Sequence, residues 1–473
     1  MNNTNNIKRK IVVIGSGPGG YTAAFRAADL GLDVTLIDKD KNLGGVCLNR
    51  GCIPSKAYLH LANVINEADE SKNFGVTFEK PKIDIKKIFE WKNSIVNNLN
   101  SGIKTLASQR KIKVINGLAS FLSANKLSVI DNQDKIININ FDYCIVATGS
   151  SPSKLNFTAN ESPNVINSTQ ALSLNEIPKK MLVIGGGYIG LELGSAFQSF
   201  GSKITVAEFS SRLLPMADKD LVDPLFKNLN NKFENIFLST EVIDLKEDKN
   251  MINVEFKNND IIFQDSFDKV LVSVGRTPNT KFLNLEKAGI KLSERGFIPV
   301  NDKMRTITPN IYAIGDIVGD PMLAHKATHE GKVAAENIAG HNSVFDPIAI
   351  PSVIYTNPEI AWAGYTESDL KTKKIKYNKG IFPWSASGRA MTNGNAIGKT
   401  KILTSEDNSK ILGVGISGSN AGELISEAML AIEMGANVED ISLTIHPHPT
   451  LSETFANASE ILTKTITDLY IKS

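Results

Sequence analysis

The chain has 473 residues, of which 42% are hydrophobic and 22% are charged, proportions typical of soluble globular proteins. Its 52 basic and 50 acidic side chains leave a formal net charge of +2, which provides no electrostatic basis for binding nucleic acid or a membrane surface. No apolar run reaches the roughly 18–20 residues that a membrane span needs. The polar first ten residues lack the apolar core of a signal peptide, so we expect a cytoplasmic protein.

A glycine-rich loop follows the first predicted strand. Residues 10–14 are a short apolar run, and an alanine-rich helix is predicted over 21–30. The glycines between them complete the pattern GxGxxG: Gly15, Gly17 and Gly20. A second strand ends at Asp38, 23 positions after Gly15. Such glycines let a pyrophosphate reach the helix N-terminus, and the acid binds a ribose hydroxyl. We therefore predict a dinucleotide site.

Two of the three cysteines, Cys47 and Cys52, follow this loop. Residues five apart on an ideal helix are separated by a rise of ~7.5 Å, beyond the ~4.4–6.8 Å between the Cα atoms of a disulfide. A bridge would need a loosened turn, which Gly51 and Pro54 permit. Two unrelated buried thiols and half of a metal site are the alternatives on these residues alone, although zinc sites usually have four ligands. The third cysteine, Cys144, is predicted to be a buried strand residue.

The second half of the chain repeats the opening pattern. A strand over 181–184 leads into a second GxGxxG, followed by a helix over 191–200. The glycines of this copy are Gly185, Gly187 and Gly190. Its second strand ends at Glu208, again 23 positions after the first glycine. The equal offsets predict two dinucleotide sites in one chain. An acid favours an unphosphorylated ribose and Arg212 lies past the expected contact, so we expect NAD rather than NADP.

The remaining pattern places turns at strand ends. Residues 57–109 are mostly helical in pattern, and a later strand ends in the turn 148–152, which begins with Thr148-Gly149. A strand and turn at Gly275 close the second nucleotide domain, and another apolar strand ends at Asp316, for which a plain helix cap is the alternative role. A helix is predicted over 324–339. After residue 347 we expect alternating strands and two helices.

A histidine motif lies near the C-terminus. His448 is followed five positions later by Glu453, and His446 precedes it. Histidine titrates near the working pH and can take a proton from a thiol, whose thiolate is the reactive form. A carboxylate on the other ring nitrogen fixes the tautomer. A structural His-Pro turn is the alternative. Beside a cysteine pair and two nucleotide sites, we interpret this motif as carrying the base of a thiol reaction, and Pro447 is a candidate cis-proline.

Together these stretches resemble the pyridine nucleotide–disulfide oxidoreductase family over nearly the whole chain. Within it, the sequence motif Cys-Leu-Asn-Arg-Gly-Cys-Ile-Pro-Ser-Lys resembles that of the dihydrolipoamide dehydrogenase branch. The resemblance implies an α/β fold with two Rossmann-like dinucleotide-binding domains, the NAD domain being inserted in the FAD domain, and a C-terminal α+β dimerisation domain. The boundaries we expect are 1–150 and 279–346 for the FAD domain, 151–278 for the NAD domain and 347–473 for the dimerisation domain.

The resemblance also implies an activity. Dihydrolipoamide would be oxidised through a redox-active Cys47–Cys52 disulfide and FAD, with NAD as the electron acceptor. Cys47 would be the interchange sulfur and Cys52 the one nearer the flavin. His448 would be the base and Glu453 its partner, with His446 structural. The base would act on the disulfide of the other subunit, which requires a homodimer. Lys56 would lie by the flavin, paired with Glu192, for which a surface salt bridge is the alternative.

The expected ligands and partners follow from the same resemblance. The FAD-binding residues would be Gly15, Gly17, Gly20, Asp38, Lys56, Thr148, Gly149 and Asp316. The NAD-binding residues would be Gly185, Gly187, Gly190, Glu208 and Gly275. No metal is expected. The partners would be lipoyl-bearing subunits of 2-oxo acid dehydrogenase or glycine cleavage complexes. An NADPH-dependent reductase of glutathione or another small disulfide is the alternative, and a flavoprotein that docks without turnover is a second.

Overall fold

The computed structural model describes residues 6–155, 157, 159 and 161–471. The first five residues lie outside this range. They belong to the N-terminal segment from which we expect a cytoplasmic protein. The chain forms two compact units. The first comprises described residues from 6–55, 86–153 and 275–346, and the second those from 56–85, 154–274 and 347–471. In the described part of the chain, no helix combines the length and the apolar character that crossing a membrane requires.

The helices and strands alternate through both units. Up to residue 152 they are β1 (Asn6–Ile14), α1 (Pro18–Asp29), β2 (Val34–Asp38), α2 (Gly45–Arg50), α3 (Cys52–Glu70), α4 (Ile85–Gln109), β3 (Lys113–Ser123), β4 (Lys126–Asp131), β5 (Ile136–Val146) and β6 (Ser150–Pro152). Next come β7 (Val165–Asn167), α5 (Ser168–Ala171), β8 (Lys180–Ile184), α6 (Tyr188–Ser199), β9 (Lys203–Ala207), α7 (Lys219–Lys232), β10 (Asn235–Phe237), β11 (Thr240–Asp248), β12 (Met251–Asn258), β13 (Ile261–Phe267), β14 (Lys269–Val272) and β15 (Arg276–Pro278). The last are β16 (Ile311–Ala313), α8 (Ala324–Ile338), β17 (Ser352–Ile354), β18 (Glu359–Gly364), α9 (Glu367–Thr372), β19 (Asn378–Pro383), α10 (Gly388–Thr392), β20 (Lys399–Thr404), β21 (Ile411–Gly418), α11 (Ala421–Glu433), α12 (Val438–Leu443) and α13 (Glu453–Thr463).

The first unit is built on a parallel sheet in the order β3-β2-β1-β5-β16, and β4 pairs antiparallel with both β3 and β5. Every residue of β2 is buried, as expected for a strand covered on both faces. Helices α1 and α8 pack against each other at glycines. A Cβ atom at Gly331 would lie 2.6 Å from the carbonyl oxygen of Gly19, so only glycine permits this approach.

The second unit contains a parallel sheet with the equivalent strand order, β10-β9-β8-β14-β7, and a small antiparallel sheet, β11-β12-β13. It also contains the antiparallel sheet β17-β18-β21-β20-β19. Helix α11 packs on β18 and β21, and α13 packs on β19 and β20. The fully buried Trp384 anchors this last sheet, and its indole N–H donates to Thr400 Oγ1 at 3.0 Å.

A buried charge cluster lies within the second unit. The Lys401 side chain is 1% exposed, and its ammonium contacts Asp218 and Asp220 at 2.7 Å each and Glu367 at 3.0 Å. The three carboxylates are grouped closely enough to ligate a cation, and the ammonium lies among them. Burial alone would raise the pKa of Glu367, but hydrogen bonds and charge from Lys401, with Tyr377 and Lys379, lower the pKa to about 2.

Several details differ from the sequence-based expectations. Helix α6 begins at Tyr188 rather than at residue 191. Helix α1 begins at Pro18 rather than at residue 21, because proline is favourable in the first helical turn. The predicted helical run over 57–109 is interrupted between residues 75 and 84. The predicted turn over 148–152 contains β6, which pairs with β15, far along the chain. After residue 347 the described chain has five helices instead of two, because helices of five or six residues are too short to show a period.

The proline expectation was also wrong. The cis peptide bond of the histidine motif precedes Pro449, whereas the bond before Pro447 is not among the cis bonds of the described chain. The other cis bonds precede Pro321 and Pro358.

Candidate active site

The two candidate redox cysteines lie on either side of a helix break. Helix α2 ends at Arg50, Gly51 adopts φ −145° and ψ −110°, and α3 begins at Cys52. A Cβ atom at Gly51 would lie 3.0 Å from the Val46 carbonyl oxygen and 3.5 Å from Cys47 Cα. The chain therefore turns tightly against its own preceding helix, as a link between these cysteines requires. Cys47 is half-buried and Cys52 is exposed.

Polar side chains hold this break in place. The amide of Asn49 donates to the carbonyl oxygens of Leu43 (3.0 Å) and Gly45 (2.9 Å), and the buried Asn100 donates to Asn49 Oδ1 at 2.7 Å. Burial raises the pKa of the Tyr21 hydroxyl, and its neighbour Cys47 raises it further.

The first glycine loop leaves room for a ligand at one glycine only. A Cβ atom would lie 2.2 Å from the Ala147 carbonyl oxygen if added to Gly15, whose φ is +102°, and 1.8 Å from the Gly15 carbonyl oxygen if added to Gly20. A Cβ atom added to Gly17 would have no other atom within 4 Å. The outer glycines therefore permit the fold, and the middle one borders open space at the N-terminus of α1, where a pyrophosphate fits.

The second loop has the same geometry. A Cβ atom at Gly185, whose φ is +103°, would lie 2.7 Å from the Ser273 carbonyl oxygen, and one at Gly190 would lie 2.4 Å from the Gly185 carbonyl oxygen. A Cβ atom added to Gly187 would again have no other atom within 4 Å. The residues of both loops therefore fit a dinucleotide.

Backbone N–H groups hold the two strand-end acids. Asp38 Oδ2 accepts from the backbone N–H and the hydroxyl of Ser16, both at 2.6 Å. Glu208 Oε2 accepts from the N–H of Gly186 at 2.6 Å, and its Oε1 accepts from that of Ser210 at 2.7 Å. Each carboxylate is thereby aligned along the edge of its loop, with further acceptor capacity for ribose hydroxyls.

The guanidinium of Arg212 is engaged elsewhere. It donates to the backbone carbonyl oxygens of Ala217 at 2.9 Å and Pro215 at 2.6 Å. These bonds direct the positive charge into its own loop, which fits a site for a ribose without a 2′-phosphate.

The turns that follow β5 and β15 are linked to each other. Thr148 Oγ1 donates to the Asn279 carbonyl oxygen at 3.0 Å, and the Asn279 backbone N–H donates to the Gly149 carbonyl oxygen at 2.9 Å. Gly149 and Gly275 have φ values of +65° and +125°, a region that favours glycine.

Asp316 lies in a single 3₁₀ turn that follows β16. Its carboxylate accepts from the Ser150 hydroxyl, to which the Arg276 guanidinium also donates at 2.7 Å. The N–H of Gly315, the residue before it, donates to the buried Glu330 at 2.6 Å. Burial raises the pKa of Glu330, while the adjacent Lys326 ammonium, 2.8 Å away, opposes that rise. Glu330 therefore fixes the turn that presents Asp316.

The histidine motif forms the predicted pair. His448 Nδ1 lies 2.8 Å from Glu453 Oε1, and Glu453 Oε2 accepts from the Thr450 N–H at 2.7 Å. The imidazole side chain is 80% exposed. His446 is different, because its side chain is only 6% exposed and its Nε2 lies 2.7 Å from Glu427 Oε1. The exposed histidine is thus oriented by a carboxylate and open to a reactant.

Lys56 and Glu192 also meet. Lys56 Nζ lies 2.8 Å from Glu192 Oε2, and the glutamate side chain is only 4% exposed. Lys56 lies one helical turn after Cys52 on α3, so the two side chains project from the same face of that helix.

Comparisons with known proteins agree with this geometry. Residues 9–331 match the model described as pyridine nucleotide-disulphide oxidoreductase, and residues 350–459 match the dimerisation domain of that family. The chain belongs to the pyridine nucleotide-disulphide oxidoreductase family. The predicted family and fold class are therefore confirmed, and the dimerisation domain supports the predicted homodimer.

Similar proteins align with this chain over nearly its full length. The dihydrolipoyl dehydrogenase of Vibrio cholerae is 49% identical over 98% of this chain and 97% of its own length. Those of Haemophilus influenzae and Bacillus subtilis are 47% and 42% identical. Among solved structures, the HOCl-induced flavoprotein disulfide reductase RclA from Escherichia coli superposes with a TM-score of 0.85 and 26% identity, covering 96% of this chain and all of that one.

Several residues of the site were not predicted from the sequence. They are Ser16, Tyr21, Asn49, Asn100, Arg276, Asn279, Lys326 and Glu330. One local signal was present, because Lys326 and Glu330 are four apart on a predicted helix and so face the same side. The others are ordinary polar residues whose partners lie in other elements of the fold.

Proposed function

We propose that the protein is a dihydrolipoyl dehydrogenase, which oxidises protein-bound dihydrolipoamide to lipoamide and reduces NAD⁺ to NADH. The observation that carries the proposal is the cysteine pair across the break at Gly51, directly after a dinucleotide loop. Relatives that carry this activity in their names match over at least 96% of the chain. The cofactors are FAD in the first glycine loop and NAD in the second.

The two loops bind their cofactors by the same contacts. The open space beside Gly17 and Gly187 admits a pyrophosphate to the N-termini of α1 and α6. Asp38 and Glu208 accept hydrogen bonds from ribose hydroxyls. The turns at Thr148, Gly149 and Gly275 line the carboxyl ends of the strands, where ligands of such sheets bind, and Asp316 contacts the ribityl and phosphate region of FAD. FAD, when bound, carries the two electrons from the cysteine pair to NAD.

His448 is the base of the dithiol reaction. The imidazole is hydrogen-bonded to Glu453 through Nδ1, and it therefore presents Nε2 to the substrate. It removes a proton from one thiol of dihydrolipoamide, and the resulting thiolate attacks Cys47. The Cys47–Cys52 bond breaks as a mixed disulfide forms. The second substrate thiol then displaces Cys47, leaving lipoamide and two reduced cysteines, so that two electrons have moved to the protein.

The base works across the dimer. Leu443 and Ile445, directly before the histidine motif, are 73% and 96% exposed, although both are large and apolar. They lie within the dimerisation domain, which supports their burial against a second copy. His448 of one protomer then serves the cysteine pair of the other, and a monomer would lack a complete site.

Lys56 supplies a positive charge to the same reaction. Its ammonium, held by Glu192, would lie by the flavin and would supply a positive charge that favours the cofactor's reduced state. The lipoyl-bearing partners are subunits of 2-oxo acid dehydrogenase or glycine cleavage complexes, and the enzyme works in the cytoplasm.

The rival function is an NADPH-dependent reductase of glutathione or another small disulfide. Two features favour NAD instead: the Glu208 carboxylate at the ribose position and the bonds of Arg212 within its own loop. A 2′-phosphate would meet a negative rather than a positive charge there.

The deciding experiment uses the purified FAD-loaded protein. NADH formation is followed with dihydrolipoamide and NAD⁺, and NADPH consumption with glutathione disulfide is followed in parallel. We expect turnover in the first assay only. His448→Gln should lower dithiol oxidation at least ~100-fold, the scale of general-base catalysis, while NADH oxidation by an artificial acceptor persists. His446→Gln, in the same loop, is the control and should retain dithiol oxidation. Turnover only with glutathione disulfide and NADPH would overturn the proposal.

A further inference from the structure

The Lys56–Glu192 pair has a third member on the strand-and-turn segment after β17. The backbone N–H of Tyr355 donates to Glu192 Oε1 at 3.0 Å, while Glu192 Oε2 binds Lys56. The Lys56 ammonium also lies over the ring of Tyr355, 4.4 Å from its centroid. One residue therefore contacts both the carboxylate and the ammonium of this pair.

The ring of Tyr355 is itself held in place. A Cβ atom at Gly422, in the first turn of α11, would lie 3.5 Å from Tyr355 Cε1 and 2.9 Å from a methyl group of Val353. At this ordinary van der Waals distance, the ring packs beside the first turn of α11. Tyr355 is half-buried, with the helix and the Lys56 ammonium as neighbours of its ring.

Three glutamates contribute negative charge near Tyr355. Glu359 accepts from the Gly422 N–H at 2.9 Å, and Glu423 follows in the same turn of α11. Burial raises the pKa of the Tyr355 hydroxyl, Lys56 opposes that rise, and the glutamates, including Glu192, add to it. The phenol therefore stays neutral and offers the ammonium an uncharged aromatic face.

We propose that Tyr355 is a positioning residue for Lys56. Its ring holds the ammonium in one direction, while its backbone N–H holds the carboxylate that pairs with it. An ammonium on a flexible four-carbon chain that is bonded to a single carboxylate oxygen would otherwise sample several rotamers. The consequence for catalysis rests on the proposed function, in which this charge stabilises the reduced flavin.

The backbone N–H survives any side-chain substitution, so variants at this position isolate the ring. Tyr355→Leu removes the aromatic face, and Tyr355→Phe keeps it without the hydroxyl. Tyr355→Met is a second variant without a ring, for use if the leucine variant retains less flavin. Tyr365→Leu is the matched control, because the Tyr365 ring lies 5.3 Å from Lys373 in the same domain, away from the pair.

The first measurement is the rate at which an amine-acylating reagent modifies Lys56 in the FAD-loaded dimer, quantified by mass spectrometry. We expect a rise of about threefold or more in the ring-free variants, the scale of a weak cation–π contact, and no rise in Tyr355→Phe or Tyr365→Leu. An unchanged rate in both ring-free variants would overturn the proposal, and so would an equal rise in Tyr355→Phe.

The second measurement is the reduction potential of the bound flavin, with Lys56→Met as reference. A lower potential in Lys56→Met and in the ring-free variants, but not in Tyr355→Phe, supports the catalytic consequence. If Lys56→Met leaves the potential unchanged, the proposed role of Lys56 at the flavin is wrong, while the acylation rates still decide whether Tyr355 positions it.

Discussion

The two dinucleotide loops share one backbone design and differ in how much of their acid is already engaged. Asp38 accepts three hydrogen bonds, two from Ser16 and one from the Asp40 N–H, whereas Glu208 accepts two. Since a carboxylate has about four acceptor positions, Asp38 retains roughly one and Glu208 roughly two. A ribose presents two neighbouring hydroxyls, so Glu208 can bind both and Asp38 only one.

The cause of this difference lies one residue after the first glycine. A Cβ atom at Gly186 would lie 2.4 Å from Leu213 Cδ2, so a serine in the second loop would require the buried Leu213 side chain to shift. In the proposed function, the second loop would therefore recognise its ribose mainly through the acid.

We expect the largest effect from substitutions at the outer glycines of the two loops. Comparing them with substitutions at the middle glycines distinguishes a role in folding from a role in binding. Gly15→Ala and Gly185→Ala force a side chain into a backbone carbonyl at positive φ and should each destabilise their domain by about 3–5 kcal/mol. Gly15→Ala should lose the flavin, and Gly185→Ala should keep it. Thermal unfolding and flavin absorbance measure both effects.

The middle glycines are the matched controls for this test. Gly17→Ala and Gly187→Ala should unfold at nearly the wild-type temperature and yet bind FAD or NAD more weakly, because only the ligand meets the added methyl group. If all four variants behaved alike, the distinction between outer and middle glycines would be wrong.

The second prediction concerns the charge cluster around the buried Lys401. Lys401→Met leaves the buried Asp218 and the partly buried Asp220 and Glu367 without their cation and should cost about 3–5 kcal/mol of stability at neutral pH. Because the folded-state pKa of Glu367 is lowered to about 2, its stabilising contribution is complete above its unfolded-state pKa and disappears as the pH falls towards 2. The difference in melting temperature between wild type and variant should therefore narrow below about pH 4.5.

An exposed lysine on α7 provides the control for that prediction. Lys219 is 74% exposed and pairs with Asp223 four residues later, so Lys219→Met should change stability by less than about 0.5 kcal/mol. A comparable loss in both variants would show that the burial of Lys401 is not what matters.

The third prediction sharpens the comparison of the acids. Glu208→Ala removes the acceptors for both ribose hydroxyls and should weaken NAD binding about 10–100-fold, the scale for hydrogen bonds to a charged group. The preference for NAD over NADP, measured as the ratio of the two kcat/KM values, should fall with it. A wild type that already preferred NADP would contradict the assignment of this pocket.

The smallest expected effect lies in the first loop. Ser16→Ala removes one hydrogen bond to Asp38 and should weaken FAD binding about 2–10-fold, measured as flavin release. Tighter binding would mean that the freed acceptor position contributes more to the ribose than the serine contributes to the alignment of Asp38.

Much of the site could be predicted because its signals are local. The glycine loops need particular backbone angles within a few residues, the acids follow at a set distance along the next strand, and His448 and Glu453 are five residues apart. The break at Gly51 also follows from the spacing of the two cysteines. The short helices after residue 347 could not be predicted, because they contain too few residues for a periodic pattern.

The amino-acid sequence by itself determined the family, the duplicated nucleotide loops and the residues that carry the proposed chemistry, because each depends on neighbours a few positions away. The tertiary structure alone decided which distant residues hold them. Glu192 and Tyr355 are 163 positions apart, and Lys401 lies 183 from Asp218. The Lys56–Glu192 pair, 136 positions apart, was expected only from the family resemblance. Such contacts depend on how helices and sheets pack, and a lysine or tyrosine in these positions looks no different in the sequence from one at the surface.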